Sequence, residues 1–180
     1  MATIISHSIA ALAVGKAVAP QGMPTKFWIL TAVCAALPDL DVVSFAFGVR
    51  YGDMLGHRGI THSLPFAFAL ALVVVLLFFR EPQLFPGDRW LLVVYFFVVT
   101  ASHALLDALT NGGLGVAFFA PFSGERYFFP WRPIEVSPIG LGSFLSARGA
   151  MVILNEMKWI WAPSALVVGL AWLLRRKLSP

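Results

Sequence analysis

The chain has 180 residues, 59% hydrophobic and 12% charged, with a formal charge of +4. Soluble domains are about 45–50% apolar and about 25% charged, so this composition, with a mean hydropathy of +0.82, excludes an ordinary soluble domain. It implies one all-α domain over residues 1–180, a polytopic membrane bundle of about five spanning or partly spanning helices.

The positive balance reads as cytoplasmic loop charge and not as a nucleic-acid footprint, since no long Lys/Arg run with interleaved polar residues occurs. The single cysteine, Cys34, excludes an intramolecular disulfide and a cysteine-rich zinc site. No charge precedes the first apolar run, so the N-terminus does not read as a cleavable signal peptide.

In chain order, residues 3–19 form a short or tilted helix carrying His7 and Lys16. Pro20, Gly22 and Pro24 mark a turn. Phe27 to about Phe47 is a spanning segment, kinked at Pro38-Asp39-Leu40-Asp41, whose aspartates are too costly to face lipid. A loop over roughly 49–62 holds His57 and His62. Leu64 to Phe79 is the plainest membrane helix, closed by Arg80-Glu81-Pro82. A turn with Pro86, Gly87 and Asp88 leads into a helix from Trp90 to about Thr110, ended by Asn111-Gly112-Gly113. Residues 112–148 interleave Phe118, Phe119, Phe122, Tyr127, Phe128, Phe129 and Trp131 with four prolines. This stretch cannot be one helix, and it reads as an irregular aromatic lid at the membrane interface. A last helix runs from about Ala150 to Leu174, with Asn155 and Glu156 near its start and Arg175-Arg176-Lys177 at its end.

His57-Arg58-Gly59-Ile60-Thr61-His62-Ser63 carries most of the chemical signal. Histidines five apart do not share a helix face, but they suit a tight loop, for which Gly56 and Gly59 give the freedom. Thr61 or Ser63 can cap the next helix, with Pro65 in its first turn. Arg58 between the histidines is a candidate anion clamp. The plain alternative is a polar loop between two membrane helices.

His103 and Asp107 are four apart, so both leave one helix face, and Asn111 extends that stripe towards a substrate. Imidazole and carboxylate together are a zinc-type ligand set, and Asp39 or Asp41 can complete it or bridge two ions. The alternative is a buried hydrogen-bonded pair. If the helices alternate across the bilayer, His7, Asp39, Asp41, His57, His62, His103, Asp107 and Glu156 all fall on one side. These are the candidate metal ligands, His7 to Asp107, with Asp41, Arg58 and Glu156 as candidate catalytic groups. Arg126 and Arg132, set among aromatics, either clamp a substrate phosphate or snorkel to headgroups. The Arg-Arg-Lys tail puts the C-terminus in the cytoplasm and the site on the outer, periplasmic face.

Together the HRGxTHS element at 57–63, Pro38-Asp39-Leu40-Asp41, His103 to Asp107 and the early His7 resemble the YdjM-type family over nearly the whole chain. Its members are bacterial inner-membrane proteins assigned as metal-dependent hydrolases, some under LexA control. A more distant likeness is to the zinc-dependent phospholipase C and P1-type nuclease superfamily, in which Asp107 would bridge two metals. No histidine follows His103, so that likeness implies one or two zinc ions and not a three-metal cluster.

The reading is a membrane-embedded, metal-dependent hydrolase acting on a phosphoester of a lipid or lipid-linked substrate. The alternative is a non-enzymatic metal-binding protein or divalent-metal transporter. A transporter needs polar groups in both halves of the bilayer, and here they lie in one. The oligomeric state stays open.

Overall fold

A computed structural model describes residues 1–79 and 89–178. The expected Arg80-Glu81-Pro82 closure and the turn at Pro86, Gly87 and Asp88 lie outside these residues. Helix α1 spans Ile4–Val18 and starts at Thr3, whose hydroxyl accepts from the Ser6 amide at 3.2 Å. Helix α2 spans Thr25–Ala36.

The sequence predicts a kink at Pro38, but the helix changes type there. Leu37–Phe47 is wound as a 3-10 helix that ends on Gly48. Proline has no N–H to give and crowds the preceding turn, and the tighter winding accommodates both. At three residues per turn, Asp39 and Asp41 stand about 120° apart around the axis and approach the histidines from different directions.

Between Gly48 and Ser63 the chain makes successive tight turns, with amides of Asp53, Gly56, Gly59 and His62 donating to carbonyls three residues back. Arg58 takes φ 63°, the one non-glycine in the left-handed region among the described residues. Ser63 then caps α3 (Leu64–Phe78), its Oγ accepting from the Phe66 amide. Helix α4 spans Arg89–Ala108.

After α4 the chain is irregular up to two short helical pieces, α5 (Leu141–Phe144) and α6 (Ala147–Glu156). Isolated bridges join Thr110 to Ile134 and Val116 to Tyr127, and no strand forms among the described residues. The lid is stitched onto the bundle by backbone bonds: Leu64 donates to Phe118, Ala117 to Arg58 and Phe129 to Ala108. Phe119, Phe122 and Trp131 point outward.

The last helix begins at Ala147, three residues earlier than the sequence predicts. It continues through a π-helical turn at Met157–Trp161 into α7 (Ala162–Leu178). Pro163 follows that turn, and the wider winding relieves the clash of its ring with the carbonyl four residues back.

Among the described residues, three helical segments are long and apolar enough to cross a membrane: Thr25–Phe47, Arg89–Ala108 and Ala147–Lys177. Ile4–Val18 and Leu64–Phe78 are shorter apolar helices. The bundle is divided across its length, end from end. One half packs Phe27, Phe79, Tyr95, Phe96 and Val99 into an apolar core. The other half buries His7, Asp39, His57, Arg58, His62, His103 and Asp107.

A Cβ at Gly59 would collide with the carbonyl oxygen of Met54 and lie 2.8 Å from that of Gly56, both backbone atoms that cannot rotate away. Gly59→Ala is expected to destabilise the purified protein by about 2 kcal/mol or more. Thermal unfolding in detergent measures it; an unchanged melting temperature would show that the loop tolerates a different path.

Candidate metal centre

Four stretches of chain deliver seven side chains to one end of the bundle. The 3-10 segment supplies Asp39 and Asp41, the loop His57 and His62, α4 His103 and Asp107, and α1 His7. All are 8% exposed or less.

Four of their atoms stand at ligand spacing. His62 Nε2 lies 3.0 Å from His103 Nε2, 3.6 Å from Asp39 Oδ1 and 3.5 Å from Asp107 Oδ2; His103 Nε2 lies 3.3 Å from Asp39 Oδ1. Atoms bound tetrahedrally at about 2.0–2.1 Å stand about 3.3 Å from one another. Four of the six separations among these donors are thus close to the edge of a coordination tetrahedron, and ligand atoms of the four residues all lie within 4.8 Å of one another.

The tautomers agree with that geometry. His103 Nδ1 is 2.7 Å from the Ala35 carbonyl, which can only accept, so Nδ1 carries a proton and Nε2 turns inward. His62 Nδ1 lies 3.1 Å from Asp41 Oδ2 and His57 Nδ1 2.7 Å from Asp41 Oδ1. Asp41 thus orients two imidazoles, the outer-shell role that carboxylates take beside metal-binding histidines. Asp41, His57 and His62 also form a second possible donor group, and it shares His62 with the first. A neutral imidazole has one lone pair, so His62 serves one group at a time.

Several buried atoms have no hydrogen-bond partner: both oxygens of Asp39, Oδ2 of Asp107, both ring nitrogens of His7 and Nε2 of His57. Unpaired polar atoms inside a membrane bundle are costly, and a divalent cation between His62 and His103 would satisfy the carboxylates of Asp39 and Asp107. The residues present fit one. Burial alone would lower the pKa of His62, but the carboxylates of Asp107, Asp39 and Asp41 that face its ring outweigh that and raise it to about 10. Without a metal, the proton on His62 is the cation these carboxylates attract.

The remaining expected site residues are engaged otherwise. Arg58 Nε lies 2.9 Å from Asp107 Oδ2, an ion pair out of line for a hydrogen bond, while Nη1 and Nη2 donate to the Gly112 carbonyl and the Thr110 hydroxyl. Its guanidinium holds Asp107 in position. Glu156 sits in neither donor group. It accepts from the Thr3 amide, the Thr3 hydroxyl and the Ser6 hydroxyl, each at 2.6 Å, and so ties the start of α1 to the end of α6. Asn111 Oδ1 accepts from the Val136 amide. Arg126 donates to the carbonyls of His57, Gly115, Tyr51 and Asp53, a staple across the loop. Arg132 is exposed and lies over the Phe128 ring at 4.7 Å.

Sequence reasoning missed Thr61, Thr110 and Tyr51. Thr61 donates to Asp41 Oδ2 at 2.8 Å and sits inside the histidine motif, so its position was available. Thr110 and Tyr51 carry no signal of their own, because only the folded path of Arg58 brings them near.

The YdjM inner membrane protein family matches residues 1–178. The inner membrane protein YbcI of Escherichia coli (strain K12) is 40% identical over 182 residues, covering 98% of this chain and 100% of that protein. No solved structure matches the chain, and the likeness to the phospholipase C and P1-type nuclease superfamily gains no support.

The raised pKa of His62 has a definite sign for stability. Its protonated form favours the ion-free fold, with the full contribution below about pH 6.5 and loss as pH rises through about 10. Chelated protein is expected to melt at a falling temperature across that window, and His62→Gln to lose that part of the slope. Identical slopes for the two proteins would contradict the assignment.

Proposed function

Because this chain belongs to the YdjM inner membrane protein family, we propose that its buried cluster holds one divalent ion in a membrane-embedded hydrolase. The substrate is a phosphoester of a lipid or lipid-linked molecule. The observation that carries the reading is the four-atom set of His62, His103, Asp39 and Asp107 at tetrahedral spacing. Its mixture of imidazole and carboxylate suits zinc. A bound ion of that kind lowers the pKa of water and polarises a phosphoryl oxygen.

The chain's own groups have separable tasks in this reading. Asp41 fixes the rings of His57 and His62, and Arg58 holds Asp107 against the ion. His57 Nε2 and His7 are buried imidazole atoms left over once the four donors are assigned, so they can accept a proton from an attacking water. Arg132, exposed on the aromatic lid, is a cation within reach of a substrate phosphate. A lipid enters sideways through the lid, its acyl chain staying in hydrocarbon.

One observation favours the non-enzymatic alternative. Every donor is buried and four protein side chains stand at ligand spacing, the number that structural zinc sites use, whereas catalytic sites keep a position open. Turnover therefore requires one carboxylate to swing away or the lid to lift.

Metal analysis of the purified protein, followed by a screen of phosphomonoester and phosphodiester lipids, tests both readings. His103→Ala and Asp107→Ala should lose the ion and all turnover. Arg132→Ala should keep the ion and raise KM about tenfold. A stoichiometric ion retained by His103→Ala would overturn the centre. A loaded protein inert on every phosphoester lipid would leave the metal-binding reading and remove the hydrolase.

A further inference from the structure

The far half of the bundle carries a feature that does not depend on the metal centre. Alongside α1 and α7 runs an apolar trough of 580 Å³, lined by Ile9, Leu12, Ala13, Trp161, Val168 and Trp172 among others. Small residues open it: Ala13, Ala165 and Gly169 line it, and a Cβ at Gly169 would meet nothing within 4 Å. Along the last helix the trough reaches from Trp161, at the end of the π-helical turn, to Trp172 on α7, a rise of about 16 Å, which is close to one leaflet's half of a hydrocarbon core of about 30 Å.

It ends in a charged recess. Lys16, Val168 and Trp172 line both the trough and an adjoining cavity of 260 Å³, which adds Gln21, Arg175 and Arg176. Arg175 is committed to the protein, donating to the carbonyls of Ala17 and Ala19 at the end of α1. Lys16 lies over the Trp28 ring at 4.2 Å and Arg176 over the Trp172 ring at 5.6 Å. Both are exposed, and among the described residues neither has a carboxylate partner. An apolar slot one leaflet long, opening onto two such cations, matches the two ends of a lipid.

We propose that this trough seats one anionic phospholipid, with an acyl chain along α1 and α7 and its phosphate between Lys16 and Arg176. The tryptophan at the mouth marks the depth where aromatic side chains sit at the headgroup level. Basic recesses between membrane helices are suited to acidic headgroups. A zwitterionic lipid is disfavoured because its amine would enter a recess lined by Lys16 and Arg176, neither of which has a carboxylate partner among the described residues.

The full-length protein is delipidated in mild detergent and reconstituted into nanodiscs containing phosphatidylglycerol, phosphatidylcholine or both. It is then re-extracted, and retained lipid is counted by native mass spectrometry. Wild type should retain one phosphatidylglycerol per chain, preferred about tenfold or more over phosphatidylcholine. Lys16→Ala with Arg176→Ala should abolish the preference, and Gly169→Phe should fill the trough and lose bound lipid with the charges intact. Melting temperature checks that each variant folds, and Gly169→Phe keeps the test alive should the double variant not. Equal retention of both lipids by wild type would overturn the proposal. So would displacement of the lipid by inorganic phosphate alone, or a second copy of the chain occupying the trough as a dimer.

Discussion

Three of the four carboxylates buried among the described residues, those of Asp39, Asp41 and Asp107, cluster at one end of a membrane bundle, and the arrangement around them follows from the need to neutralise them. An uncompensated charge removed from water costs several kcal/mol even after relaxation. Each therefore has a cationic or proton-donating neighbour. Arg58 stands against Asp107, the rings of His57 and His62 against Asp41, and His62 and His103 against Asp39. Yet these neighbours leave carboxylate and imidazole atoms unpaired, facing one another across about the diameter of an ion.

Backbone features that look irregular follow from this need. The 3-10 winding after Pro38 splays Asp39 from Asp41, so that one faces α4 and the other the loop. The positive φ of Arg58 turns its side chain inward between two histidines that both lean on Asp41. Regular α-helix through either segment would send one of these groups to lipid.

The bundle, its one-sided polarity and the pairing of His103 with Asp107 were legible because they depend on periodicity and helix alternation alone. The role of Arg58 was not. Its neighbours in sequence are consistent with an anion clamp, and only the left-handed turn points its guanidinium at Asp107. Glu156 was read as the start of a helix, where a carboxylate is favourable in any case. The helix begins at Ala147, and Glu156 is a full two turns inside it, bonded to a segment some 150 positions away in the chain. Arg126 read as a phosphate clamp or a headgroup contact because its aromatic neighbours are visible in sequence and the carbonyls it binds are not. Long-range backbone partners are the class of contact that one sequence cannot display.

The Arg126 staple has a consequence for how the protein is made. When synthesis has passed Thr110, every acid and histidine of the cluster has been supplied, but the loop that aims His57 and His62 still lacks the side chain that binds its carbonyls. The Ala117 and Phe118 backbone that joins Arg58 and Leu64 is also missing, and α1 waits longer still for Glu156. A nascent chain thus carries its ionisable groups through insertion while their arrangement is loose and open to water. The enclosure that makes them costly is completed only by the segments that leave the ribosome last.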